Sequence, residues 1–305
     1  RVFFGLYGHE PWPAGKKSRV SVAQFAPVDD VDQNLGEIAT LARKARAEGA
    51  ELVVFPELAA TGFGDPEKSA QPIPGPVTDR LGKLAKELGV YLVCGLAERA
   101  DGTLYNSACL VAPDGNISVY RKTHLAADEQ GWATAGDSWT VVDTPIGRIG
   151  LLIGHDASFP EAGRVLALRG CDLIACPAAI KGRFSSSHAG TDVAQPKPIP
   201  TGPDPHHWHH FRVRAGENNV FLAFANVVDP ERGYPGLSGV FGPDTFEFPR
   251  REAMAVNGTG LATALVDTSN LDSVYPTNVV RRKDLVSMRM PHSYRGLVKA
   301  AADNY

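Results

Sequence analysis

The sequence predicts an α/β fold in which two β-sheets pack face to face and helices cover both outer faces. Three observations carry this expectation. Short, wholly apolar runs such as LVVF at 52–55 read as strands buried on both sides. Such runs alternate with stretches whose apolar residues recur at helical spacing. Midway the alternation gives way to a hairpin signal, the PDG at 113–115 between two strand-like runs. Helices and sheets with one apolar face each must bury those faces against one another, which leads to layers.

Residues 1–17 hold Gly, Pro, Trp and two Lys without periodicity and read as an extension or linker ahead of a domain spanning 18–270. Val20, Val22 and Phe25 mark a first strand. A helix follows from about Asn34 to Glu48, with Leu35, Ile38, Leu41, Ala42 and Ala45 as its apolar stripe and Gly49 as its stop. The strand at 52–55 delivers Glu57 just past its C-terminal end, the edge at which open α/β sheets carry their functional groups. Leu81, Leu84 and Leu88 line the next helix, and Tyr91 to Gly95 form the strand after it. The hairpin pairs 105–112 with 117–121 and carries Lys122 at its exit.

In the run GLLIGHDASFPE at 150–161 an apolar strand enters a sharp turn at Gly154, and Pro160 then opens a helix to Leu168. The strand Asp172 to Cys176 comes next, closed by Pro177. Residues 181–205 hold five prolines and three consecutive serines, a connection longer than usual and therefore expected to be a lid over the site. A helix from His206 to Asn218 and strands near 220–225, 238–241 and 261–266 complete the domain, followed by a polar, basic tail at 271–305.

With 305 residues and an apolar fraction of 43%, the chain suits one large domain with a sizeable core. Its net charge of −3, with acids and bases interspersed, offers no basic field for nucleic acid or an anionic membrane and favours a small neutral or weakly charged ligand. Cys94, Cys109, Cys171 and Cys176 lie in apolar runs without paired spacing, so they read as buried, reduced thiols of a cytoplasmic protein. No apolar run approaches the roughly 18 residues that cross a bilayer. The chain opens on Arg1 without a leader, which leaves room for a preceding domain in a longer polypeptide.

Three motifs in order, FPEL at 55–58, YRKTHL at 120–125 and the 150–161 run, resemble those of the nitrilase superfamily of carbon-nitrogen hydrolases. The resemblance covers roughly 18–270. It implies a four-layer α-β-β-α sandwich, a homo-oligomer with the tail reaching a neighbouring subunit, and a catalytic set of Glu, Lys and Cys. Matched motif by motif, the Glu is Glu57 and the Lys is Lys122, while the Cys position is Gly154. The resemblance also places a second Glu near Glu129, with Asp128 as the other residue at that place. His155 stands where many relatives have Tyr or Trp, either lining the pocket or on its rim. Trp208, Arg212, Glu217 and Asn218 match positions that pack against or brace the site. Asp156 and Glu161 complete the third motif at the start of a helix, whose dipole favours a carboxylate.

Covalent cleavage of an amide needs a nucleophile, a base to deprotonate it and a donor for the developing oxyanion. Glu57 suits the base. Lys122 suits the oxyanion, with the His155 N–H as a second donor. Gly154 has no side chain, and losing the nucleophile of such a set costs on the order of 10⁶ in rate. The principal reading is therefore a catalytically silent homologue that serves as a ligand-binding or assembly domain. The alternative is an amidase or carbamoyl hydrolase that releases ammonia from a small linear amide, inactivated at Gly154 or using another nucleophile such as Cys176. Either reading implies a small amide or carboxylate ligand and no cofactor. The HHWHH run at 206–210 would set His206 and His210 on one helix face, but no Cys or carboxylate completes a zinc set at known spacing.

Overall fold

The computed structural model describes residues 15–181, 205–243, 253–254, 258–269, 286 and 288–298. In chain order the first half gives β1 (Lys17–Gln24), α1 (Val31–Ala47), β2 (Ala50–Val54), a short α2 (Pro66–Ser69), α3 (Pro76–Leu88), β3 (Tyr91–Ala100), β4 (Thr103–Val111) and β5 (Ile117–Arg121). The second half gives β6 (Val141–Thr144), β7 (Gly147–Leu151), α4 (Pro160–Leu168), β8 (Leu173–Ala178), α5 (Pro205–Asn218) and β9 (Phe221–Asn226). It ends with the small pair β10 (Val228–Asp229) and β11 (Tyr234–Pro235), then β12 (Gly239–Phe241), β13 (Ala253–Met254) and β14 (Gly260–Asp267).

Two six-stranded sheets result, ordered β14-β1-β2-β3-β4-β5 and β13-β12-β9-β8-β7-β6. Alternate residues of the central strands fall into different apolar clusters, because successive side chains of a strand point to opposite faces. Leu52 and Val54 of β2 join Ile149, Leu151, Leu173 and Ala175 between the two sheets. Val53 and Phe55 turn the other way, onto Ile38 and Leu41 of α1 and Leu81 of α3. On the far side, Ile174 and Cys176 of β8 pack with Leu166 of α4 and Phe211 of α5. Three clusters between four layers make the α-β-β-α sandwich, and all four cysteines are buried with free thiols.

Several boundaries differ from those expected, each for a local reason. The first strand starts at Lys17, one residue inside the segment 1–17 set aside as an extension, because Lys17 pairs with Asp267 of β14. Helix α1 starts at Val31 and not near Asn34, since the Asp30 side chain accepts the N–H groups of Asp32 and Gln33 and caps it. Strand β3 runs on past Gly95 to Ala100 and returns as β4 through Asp101 and Gly102, whose φ values of 50° and 79° suit a tight hairpin turn. Gly95 is no terminator: a Cβ there would stand 2.6 Å from Leu58 N and 2.7 Å from Glu57 Cα, so glycine lets β3 pass against the Glu57 turn.

Pro177 does not close β8, which continues to Ala178 with Pro177 opposite Ala225 of β9. The Ala175 carbonyl accepts Leu152 N–H and the Ala178 carbonyl accepts Val227 N–H. By this alternation the Pro177 nitrogen turns to the β7 side, beyond the end of that strand, where no ladder bond is lost. The expected lid lies almost wholly outside the described residues, as do residues 1–14 and most of the tail. No helix among the described residues is long and apolar enough to cross a membrane.

Candidate active site

Glu57 leaves the end of β2 through Phe55 and Pro56, and its N–H donates to the Ala178 carbonyl at 3.3 Å, which joins the C-terminal edges of the two sheets. Lys122 follows β5 directly and is held there because its N–H donates to the Asn106 carbonyl of β4 at 2.8 Å. Both side chains are buried and meet: Lys122 Nζ donates to Glu57 Oε1 at 2.6 Å. The same ammonium reaches Glu129 Oε1 at 2.8 Å and Oε2 at 2.7 Å, so Glu129, and not Asp128, is the second carboxylate on the lysine. Asp128 is exposed on the loop and lies 3.9 Å from Lys181.

Asn106, which the motif reading did not single out, completes the cluster. Its Nδ2 donates to Glu57 Oε1 at 2.7 Å and also to Glu129 Oε1. Its only sequence signal is the hairpin register, which sets Ser107 opposite Arg121 and so brings the preceding residue beside Lys122.

Burial in this cluster, opposed by Lys122, pushes the Glu57 carboxyl up to about 7. Burial also works against the Lys122 ammonium, but Glu57 and Glu129 more than offset it and hold Lys122 above its ordinary range. For Glu129 burial is outweighed by Lys122, which together with the Ala126 N–H holds it below the usual carboxylate range. The two glutamates thus differ: one is a strong anchor for the lysine, and the other is poised to exchange a proton near neutrality.

Gly154 opens a 3₁₀ turn between β7 and α4, buried and with φ of +38°, a region that favours glycine. A Cβ at this residue would stand 2.5 Å from Glu57 Oε2, an oxygen that also accepts the Ala179 N–H at 2.9 Å. The turn is tied down by Asp156. That buried carboxylate accepts Ile153 N–H at 3.1 Å, Tyr120 Oη–H at 2.8 Å and His124 N–H at 2.9 Å, binding the 120–125 motif to the 150–161 motif. Asp156 therefore organises the turn itself, while Glu161 is the exposed acid of the first turn of α4.

Arg214 of α5 braces the other side, its Nε donating to Ala157 O at 3.0 Å and Nη2 to Ser158 O at 3.4 Å, with an ion pair to Glu217. Arg214, which the motif reading did not single out, thus braces the turn together with the expected Glu217. His155 is exposed, edge-on to Phe159, and is not among the described residues that line the cavity. The side chains of His206 and Trp208 lie outside the described residues. His210 meets Ala157 O at 3.0 Å, and among the described residues no group of three His, Cys, Asp or Glu is set to hold a metal. Cys176 is buried among the apolar residues under α4 and α5, and burial pushes its thiol far above its ordinary range.

A cavity of about 260 Å³ opens onto the cluster. Glu57, Lys122 and Glu129 form one part of its lining, Phe63, Trp132 and Tyr234 give aromatic walls, and Asp128, Lys181 and Arg232 add charge. The volume is at the small end for ligand pockets and suits a molecule of few heavy atoms.

A family model described as carbon-nitrogen hydrolase matches residues 19–245. The chain is 35% identical over 223 residues to a protein named nitrilase from Pyrococcus abyssi, covering 70% of this chain and 77% of that one. It is 31% identical over 292 residues to an omega-amidase of Xenopus tropicalis, covering 89% of this chain and 98% of that one. Among solved structures, an amidase from Nesterenkonia sp. superposes with a TM-score of 0.72 at 24% identity, covering 93% of this chain and 97% of that one, a likeness of fold.

Proposed function

The chain belongs to the carbon-nitrogen hydrolase family, and from that premise we propose that the cleft around Glu57, Lys122 and Glu129 is an amidase-type site for a small linear amide. With glycine at position 154 the chain binds the amide and forms no acyl-enzyme. The observation that carries this reading is the direction in which residue 154 faces. A Cβ there would stand against Glu57 Oε2, which accepts the Ala179 N–H, while the other oxygen of the carboxylate is held by Lys122. Once the carboxylate moves back from the Cβ, a thiol in that place would have its base in contact, with a pKa of about 7 that suits proton removal near neutrality.

In such a site Glu57 takes the thiol proton and Lys122 supplies positive charge to the carbonyl oxygen as it becomes an oxyanion, while Glu129 holds the lysine in place. The thiolate attacks the amide carbon, ammonia leaves with the proton that Glu57 returns, and water cleaves the thioester. Without the thiol, the remaining groups can bind and polarise an amide but cannot open the covalent route, a loss of about 8 kcal/mol of transition-state stabilisation. The relatives named omega-amidase support an amide as the substrate, beside one relative named nitrilase. The burial of Cys176 beneath the helices speaks against it as a replacement nucleophile.

The test compares the native chain with Gly154→Cys over a panel of small linear amides, following ammonia release, binding by calorimetry and intact mass. The reading expects binding without release by the native chain, and release with an acyl adduct on residue 154 in the variant. Ammonia release by the native chain that is abolished by Glu57→Gln would overturn the silent state. Absence of amide binding to the native chain would overturn the site.

A further inference from the structure

We infer that Asn106 is a positioning residue of this site: its amide holds Glu57 by Oε1, so that Oε2 is the oxygen presented to residue 154. The inference rests on the reading of Glu57 as the base, although its test does not.

The cluster sets two carboxylates around one ammonium. Lys122 can neutralise only one of them, and in a buried site the second negative charge would be relieved by protonation unless further donors are supplied. Asn106 supplies them. Its fully buried Nδ2 lies between Glu57 Oε1, at 2.7 Å, and Glu129 Oε1, one N–H for each carboxylate. The orientation of the amide follows from its surroundings, because turning it over would press a carbonyl oxygen against two carboxylate oxygens.

That orientation has a cost. Asn106 Oδ1 is buried and has no hydrogen-bond partner among the described residues, and a buried acceptor left without one is unfavourable. A side chain that only filled space, such as Leu, would carry no such penalty. The orphaned acceptor is what the fold accepts in return for two N–H groups aimed at the glutamates. A neutral donor also suits the task better than a second cation, which would pull Glu57 into the ordinary carboxylate range and remove its poise near neutrality.

The geometry makes the consequence directional. Glu57 Oε1 is held by Lys122 and Asn106 together, and Oε2, among the described residues, by the Ala179 N–H. With its plane fixed at both oxygens, the carboxylate keeps one edge toward residue 154. Loss of Asn106 leaves Oε1 with a single side-chain donor that Glu129 also claims.

The test is a carboxyl-carbon NMR titration of the native chain, with the Glu57 signal assigned from Glu57→Gln. The titratable groups that act on Glu57 are Lys122 and Glu129 beside it and Cys176 and Tyr234 through longer-range electrostatics, and all are unchanged in the variants compared. Asn106→Leu keeps the volume and removes both N–H groups. Its Glu57 midpoint is expected to rise by roughly one pH unit, a tenfold fall in the ratio of ionised to protonated carboxyl at fixed pH. Asn106→Ser, with one donor, should fall between. In a Gly154→Cys background the acid limb of the acylation rate should move up with the midpoint. A midpoint in folded Asn106→Leu within about 0.2 pH unit of native would reduce Asn106 to a core filler. If that variant does not fold, an unchanged midpoint in Asn106→Ser overturns the inference equally. The titration needs no turnover, so failure of the amidase reading would leave this result legible.

Discussion

Glu57 and Gly154 share one space: the Glu57 carboxylate leans into the room that a side chain on residue 154 would occupy, with Oε2 at 2.5 Å from the place of a Cβ. A contact that short is never made by a real Cβ. Any side chain at 154 therefore requires Glu57 to give way, and Glu57 is pinned at Oε1 by Lys122 and Asn106 and at Oε2 by Ala179.

Gly154→Ala is accordingly expected to destabilise the chain by about 1–3 kcal/mol, from the strain of φ at +38° together with displacement of a buried carboxylate. Urea denaturation of the native chain and the variant measures it. A cost indistinguishable from zero would mean that Glu57 moves freely and that the cluster is looser than its hydrogen bonds imply.

Stability should respond to pH through Glu57 in a defined direction. Its folded pKa of about 7 lies above the ordinary 4.5, so the folded state holds a proton that the unfolded chain releases. The contribution is fully present below about 4.5 and is lost as pH rises through about 7. Glu129, held low, acts in the opposite sense, present above its ordinary value and lost as pH falls. Comparison with Glu57→Gln isolates the first effect: between pH 5 and pH 8 the native chain should lose up to roughly 3 kcal/mol relative to the variant. A stability gap between the two that is flat over this range would place the Glu57 titration elsewhere.

Two ion pairs offer a contrast that tests how burial sets their value. Arg121 meets the buried Glu98 at 2.5 Å, and the Ser107 hydroxyl donates to the same carboxylate. Arg43 meets Glu87 at 3.1 Å with both side chains more than half exposed. Arg121→Met strands the buried carboxylate of Glu98 on β3 and should cost on the order of 2 kcal/mol. Arg43→Met should cost no more than about 0.5 kcal/mol. Thermal or chemical denaturation of the pair of variants checks the ratio, and equal costs would remove the argument from burial.

By itself the sequence determined the layered α/β sandwich and the positions of Glu57, Lys122 and the Gly154 turn. Each of these is written locally: an apolar strand buried on both faces ends two residues before Glu57, a hairpin exit carries Lys122, and a strand-turn-helix joint exposes residue 154. Tertiary structure alone decided which groups surround them. Asn106 meets Glu57 across 49 positions of chain, and Ala179 does so across 122, distances over which no local pattern carries information. The same holds for Glu129 over Asp128, for the brace that Arg214 gives the turn, and for the passage of β3 beyond Gly95, where the glycine is needed by a neighbour from another strand. The charge state of Glu57 was likewise beyond the sequence. A pKa is set by how much water is excluded and which donors converge, and both are properties of the assembled sheets.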